Sequence, residues 1–182
     1  FHFLKDNSNR YNVQMNIFLV GPMGSGKSSL GKKLAKRLDK KFIDTDKEIE
    51  KNENKTINEI FENDGEGYFR KKEKDFLNNI SNSLNMVIAT GGGIVTDKEN
   101  RNKLKENKVI FLNASVERQF KRISKSDKRP LLRNVNKLDK LRELYDQRMD
   151  FYKEVSNVEI NVDKYKGKDI LSEIISKLDE KN

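Results

Sequence analysis

The sequence predicts an α/β domain with three layers, helices covering both faces of a mainly parallel sheet. Three observations lead there. Five short apolar runs, Ile17–Val20, Phe42–Ile43, Met86–Ala89, Val109–Leu112 and Val158–Val162, are separated by stretches with helical spacing, the β-α-β-α alternation of such folds. Most of these runs lack an in-out alternation, as expected of strands buried on both faces. The chain has 182 residues, enough for one such domain and cramped for two.

Taken in order, residues 1–14 are polar and aperiodic, without the apolar segment of a signal peptide or the Arg-rich pattern of a transit peptide. They read as a disordered leader or an upstream read-through, with Met15 as a natural start and 15–182 as the single domain. After the first strand, Leu30, Leu34 and Leu38 share one helical face. The second strand runs into Asp44-Thr45-Asp46. Ile57, Ile60 and Phe61 mark a further helix, whose start is signalled by the T-x-x-E spacing of Thr56 and Glu59; Thr96 and Glu99 repeat that spacing and predict a second capping box. Leu138, Leu141, Leu144, Tyr145 and Met149 outline a late helix. Proline occurs only at Pro22 and Pro130, so few elements are interrupted.

Composition removes several chemistries. There is no cysteine and the one histidine is His2, so catalysis must rest on Asp, Glu, Lys and Arg. No apolar run approaches the ~20 residues of a membrane span. The formal charge of +9 comes from 28 Lys and 10 Arg interspersed with 29 acids and 21 Asn, a solvated surface rather than a nucleic-acid face. A cytoplasmic monomer acting on small molecules is expected, with neither nucleic acid nor membrane as partner.

Directly after the first strand comes Gly21-Pro22-Met23-Gly24-Ser25-Gly26-Lys27-Ser28, a full G-x-x-x-x-G-K-[ST] match between a strand and a helix. The chain's own residue frequencies would produce such a match roughly 1% of the time, before that context is required. Glycines let backbone N–H groups converge on a polyphosphate, the helix N-terminus adds positive potential, Lys27 reaches the β and γ phosphates and Ser28 ligates Mg²⁺. Position 29 is Ser rather than Gly, so a dinucleotide fingerprint is not supported. Asp64–Gly67 fits D-x-x-G and Asn136–Asp139 fits N-K-x-D, the guanine-nucleotide motifs. Composition alone yields an N-K-x-D roughly one time in four, and neither follows an apolar strand, so both are read as chance.

A phosphoryl acceptor needs its own groups near the strand ends. Of the two acids past the second strand, one can reach the metal shell and the other accept a hydrogen bond from an acceptor hydroxyl; the alternative is that Asp46 caps a helix beginning at Lys47. In Ala89-Thr90-Gly91-Gly92-Gly93, three glycines leave backbone N–H groups open to a ligand oxygen. Arg70, Arg129 and Arg148 stand out where this chain prefers Lys, and Arg can hold a carboxylate or phosphate bidentately.

Together these residues resemble the shikimate kinase family, from about Asn16 to Leu178: GPMGSGKS, DTD at 44–46, GExxFRxxE from Gly65 to Glu73, ATGGG at 89–93, RPLL at Arg129–Leu132 and RxxxY at Arg148–Tyr152. The resemblance implies the nucleoside monophosphate kinase-like fold, five parallel strands with a mobile lid over 124–136. It also implies ATP-dependent phosphorylation of the 3-hydroxyl of shikimate on the route to chorismate and the aromatic amino acids. Carried over to this chain, it has Asp46 hold the reacting hydroxyl and take its proton, with Lys27 and Arg129 as the other catalytic groups. Gly24, Ser25, Gly26, Lys27, Ser28, Ser29, Arg122 and Arg129 would bind ATP, with Arg122 against adenine. Arg70 and Arg148 would clamp the shikimate carboxylate, and Gly91, Gly92 and Gly93 would line its ring hydroxyls. Ser28, and Asp44 through water, would support Mg²⁺. Ser29 departs from a frequent Thr and Gly67-Tyr68 occupy variable positions; neither removes an assigned group. The nearest alternative is another small P-loop kinase, acting on gluconate or a nucleotide; a nucleic-acid-associated NTPase is a more distant one.

Overall fold

The computed structural model describes residues 15–80, 83–124, 129–165 and 168–180. Residues 1–14, the expected leader, and residues 125–128 of the expected lid lie outside them. Five strands, β1 (Ile17–Val20), β2 (Lys41–Asp44), β3 (Met86–Ala89), β4 (Lys108–Asn113) and β5 (Val158–Asn161), form one sheet in the order β2-β3-β1-β4-β5. All four ladders are parallel; Phe18 pairs in register with Ile88 and Val109.

The pattern of apolar residues follows from this order. Central β1 is buried along its whole length because Ile17 and Leu19 enter one core and Phe18 and Val20 the other. On the first face α1 (Lys27–Arg37) contributes Leu30 and Leu34 and α8 (Lys168–Glu180) contributes Ile170, Ile174 and Leu178. On the second, α4 (Gly65–Ile80), α5 (Lys98–Lys105) and α7 (Lys137–Val155) bring Leu77, Leu104 and Tyr152, the last stacked on Phe111 of β4 at 5.1 Å between ring centres. Edge strand β5 alternates instead: Val158 and Ile160 are buried, Glu159 and Asn161 exposed. Burying an aliphatic or aromatic side chain contributes about 1.5–3 kcal/mol, so these two layers dominate the fold's stability.

Two smaller clusters lie beyond the sheet. Ile49 of α2 (Thr45–Glu53), Ile60 of α3 (Ile57–Asn63) and Phe69 of α4 pack together. Val116 and Ile123 of α6 (Val116–Ile123) meet Leu141 of α7 and Leu132, which lies in a 3-10 turn, Pro130–Leu132.

Local capping signals hold in part. Thr56 and Glu59 form the reciprocal capping box at α3. The box expected at Thr96 does not form: α5 starts after Asp97, whose carboxylate accepts from the Glu99 and Asn100 N–H groups, while the Thr96 hydroxyl donates to the Gly93 carbonyl. An aspartate one residue nearer the helix outcompetes the threonine. Nor does Asp46 cap a helix from Lys47; α2 begins at Thr45 with Asp44 as its cap, which leaves Asp46 in the first turn with its side chain uncommitted to the backbone. The D-x-x-G and N-K-x-D matches fall at helix ends, Asp64 closing α3 and Asn136 capping α7 through the Leu138 and Asp139 N–H groups. Among the described residues no helix is long and apolar enough to cross a membrane.

Candidate active site

At the carboxyl end of β1 the loop Gly21–Ser28 turns into α1, with Gly24 (φ 76°) and Gly26 (φ 100°) in backbone conformations that residues bearing a Cβ avoid. Lys27 is buried, and its ammonium donates to the Gly21 and Pro22 carbonyls at 2.7 and 2.9 Å. Burial, reinforced by the charge of Arg129, lowers its pKa to about 7, against the opposing pull of Asp46 and Asp44. The Ser28 hydroxyl donates to Asp44 Oδ2 at 2.5 Å, joining the loop to the end of β2. Arg122, on the last turn of α6, donates to the Gly24 carbonyl at 2.9 Å. A cleft lined by Gly24, Gly26, Lys27, Ser28, Ser29, Asp44 and Arg122 results. Ser25 does not line it: its side chain is buried and its N–H bonds the Pro22 carbonyl.

A second cavity adjoins the first, and Asp46, Gly92 and Arg129 border both. Its polar wall is assembled from distant segments: Asp46 on α2, Arg70 and Glu73 one helical turn apart on α4, Gly91–Gly93 after β3, Arg129 before the 3-10 turn and Arg148 on α7. Ile57, Phe61, Phe69, Pro130 and Leu131 supply its apolar wall. Arg70 donates to Glu73 Oε2 at 2.5 Å and to Glu66 at 2.8 Å. Arg129 reaches within 3.7 Å of Asp46 Oδ2.

This wall is electrostatically demanding. Burial raises the pKa of Glu73 to about 7 against the attraction of Arg70, and burial likewise raises that of Asp46 against Arg129. Three guanidiniums therefore face two carboxyls, one of them half-neutral near pH 7, which leaves the cavity positive. Asp46 Oδ1, Glu73 Oε1 and Arg148 Nε are each buried without a hydrogen-bond partner. Buried polar atoms are normally paired, so three such atoms on residues of one cavity point to a polar ligand.

The glycines after β3 serve a different purpose from the one their sequence suggests. The Gly91 N–H is taken by Thr45 Oγ1, so it is not open to a ligand. A side chain at Gly91 would instead overlap Glu73 and Asp46, and one at Gly93 the Arg70 guanidinium. Gly92 accepts a 2.5 Å hydrogen bond from the Tyr152 hydroxyl, whose pKa is pushed up to about 12 by burial.

Apart from Ser25, every residue expected at the site lines one of these two cavities. Sequence reasoning passed over Glu73 and Tyr152 as site residues, although both lie in quoted motifs. Their spacing is the available signal: Glu73 three residues after Arg70 and Tyr152 four after Arg148, each one helical turn away on the same face.

A phosphate-cradling loop on a parallel sheet, opening onto a positive cavity with an acid at the junction, defines a P-loop kinase acting on a small molecule. The family model for shikimate kinase matches residues 23–179. The shikimate kinase of Vibrio parahaemolyticus is 39% identical over 91% of this chain and 97% of its own. The bifunctional shikimate kinase/3-dehydroquinate synthase of Thermotoga maritima is 46% identical over 80% of this chain, which spans only 29% of that longer protein. Among solved structures, the shikimate kinase from Acinetobacter baumannii in complex with shikimate superposes with a TM-score of 0.91 at 38% identity, covering 96% of this chain and 98% of that one. The chain belongs to the shikimate kinase family and is an ATP-dependent phosphotransferase.

Proposed function

We propose that this chain transfers the γ-phosphoryl group of ATP to the 3-hydroxyl of shikimate, with the first cavity as nucleotide site and the second as acceptor site. The observation that carries the reading is the position of Asp46: it borders both cavities and keeps one carboxylate oxygen buried without a partner. The acceptor's hydroxyl would donate to that oxygen and lose its proton to it as the phosphoryl arrives. Because burial raises the pKa of Asp46, it is a better base than an exposed aspartate. Arg70 and Arg148 would hold the carboxylate, and the apolar wall would pack against the ring.

On the nucleotide side Lys27 would exchange its carbonyl partners for phosphate oxygens and regain full charge beside them. Arg129 would neutralise charge developing on the transferring group, and Arg122 would flank the base. Gly24 and Gly26 would let the loop backbone approach the phosphates. Ser28 and Asp44 offer two hard oxygens 2.5 Å apart and fit Mg²⁺. Among the described residues no cluster of three acids or histidines stands ready as a complete protein cage. Mg²⁺ at kinase sites keeps water and substrate phosphates as most of its ligands. Bound there, Mg²⁺ would supply charge neutralisation to the phosphates. No covalent intermediate is needed: the acceptor hydroxyl would attack the γ-phosphorus directly as its bond to ADP breaks.

The deciding experiment is ADP release from ATP and Mg²⁺ with shikimate, gluconate and a panel of nucleoside monophosphates offered separately. Stimulation by shikimate alone is expected. Stimulation by a nucleoside monophosphate would retain the nucleotide site and overturn the carboxylate clamp, whereas stimulation by gluconate would keep a carboxylate clamp and overturn shikimate as its occupant.

A further inference from the structure

Arg129 and Arg133 sit at opposite ends of a single 3-10 turn, closed by the Leu132 N–H on the Arg129 carbonyl and the Arg133 N–H on the Pro130 carbonyl. The two arginines point to different elements. Arg129 approaches Asp46 on α2, whereas Arg133 forms an ion pair with Glu62 on α3. Between them Pro130 and Leu131 line the acceptor cavity, as do Ile57 and Phe61 of α3. Leu132 anchors the turn from behind in the cluster with Val116, Ile123 and Leu141.

Apolar contact holds the turn to α6 and α7. The Glu62–Arg133 ion pair joins the turn to α3 directly. We propose that Glu62 and Arg133 are a positioning pair that sets the width of the acceptor cavity and, through the shared turn, the reach of Arg129 toward Asp46. The inference rests on the assignment of that cavity to the acceptor. Both side chains are partly open to solvent, so the pair contributes little to folding and responds to salt.

The test is steady-state kinetics at low ionic strength on Glu62→Gln, Arg133→Gln and the exchanged pair Glu62→Arg with Arg133→Glu. Each single variant should raise the KM for shikimate about 2- to 5-fold, with the KM for ATP and the unfolding midpoint unchanged. The exchanged pair should recover most of the loss, and added salt should bring the wild type toward the single variants. A shikimate KM that stays at the wild-type value in both single variants overturns the proposal, as does an exchanged pair no better than either. A wild-type enzyme that shikimate fails to stimulate overturns the acceptor assignment instead, before any variant is measured.

Discussion

The proposed nucleotide half of the cleft is built around one contiguous loop, Gly21–Ser28, with Ser29, Asp44 and Arg122 beside it, whereas the proposed acceptor half draws on α2, α4, the glycine loop after β3, the 3-10 turn and α7. The two halves also treat charge differently. Lys27 is buried but satisfied by two loop carbonyls, while Asp46, Glu73 and Arg148 each keep a buried polar atom without a partner. A loop that cradles phosphate can preorganise with its own backbone. A site for a small polar acceptor must hold charged side chains in a positive, partly dry cavity, and their stability there depends on one another and on the ligand.

The contrast can be broken at the junction. Asp46→Asn should depress kcat by about 10²- to 10⁴-fold while both substrates still bind, because the amide cannot accept the hydroxyl proton; near-normal turnover would remove Asp46 from the chemistry. Arg70→Ala should separate the halves, raising the KM for shikimate about 10- to 100-fold through loss of a charged hydrogen bond while ATP binding persists. Equal loss of both affinities would show that α4 supports the fold rather than the acceptor.

Smaller effects sharpen the electrostatic side. With its pKa lowered to about 7, Lys27 is largely neutral above that pH, and phosphates beside it restore its charge. ATP binding should therefore take up protons at about pH 8 and cease to do so well below pH 7, measurable as a dependence of binding heat on buffer ionisation enthalpy. Glu73 has the opposite consequence for stability. The folded chain holds its proton up to about pH 7 and the unfolded chain releases it near 4.5, so stability falls as pH rises through that window. Glu73→Gln should flatten this fall in denaturant midpoints measured at either end. Thr56→Ala, which breaks the capping box of α3, should cost about 1 kcal/mol of stability and leave the KM for ATP unchanged.

Much of this site was legible before folding, and the reason differs by residue. Gly24, Gly26, Lys27 and Ser28 form a contiguous pattern whose chemistry is local, so spacing alone identifies them. Asp46, Arg70, Arg129 and Arg148 became candidates through short motifs and a resemblance, since nothing in their spacing brings them to one cavity. Glu73 escaped because a glutamate in a Lys-rich helix reads as a solvated ion-pair partner until its burial is known. The glycines after β3 were found for an incomplete reason. Gly91 donates its N–H to Thr45, and what Gly91 and Gly93 provide is room for Glu73, Asp46 and Arg70.

By itself the sequence determined the parallel sheet, the phosphate loop and the capped start of α3, because these follow from apolar periodicity, glycine conformations and capping, all interactions within a few residues of one another. Only the tertiary structure decided which acid stands at the junction, how three guanidiniums share a cavity with two carboxyls, and which polar atoms stay unpaired within it. Those outcomes depend on burial, and burial is a property of the assembled layers rather than of any segment.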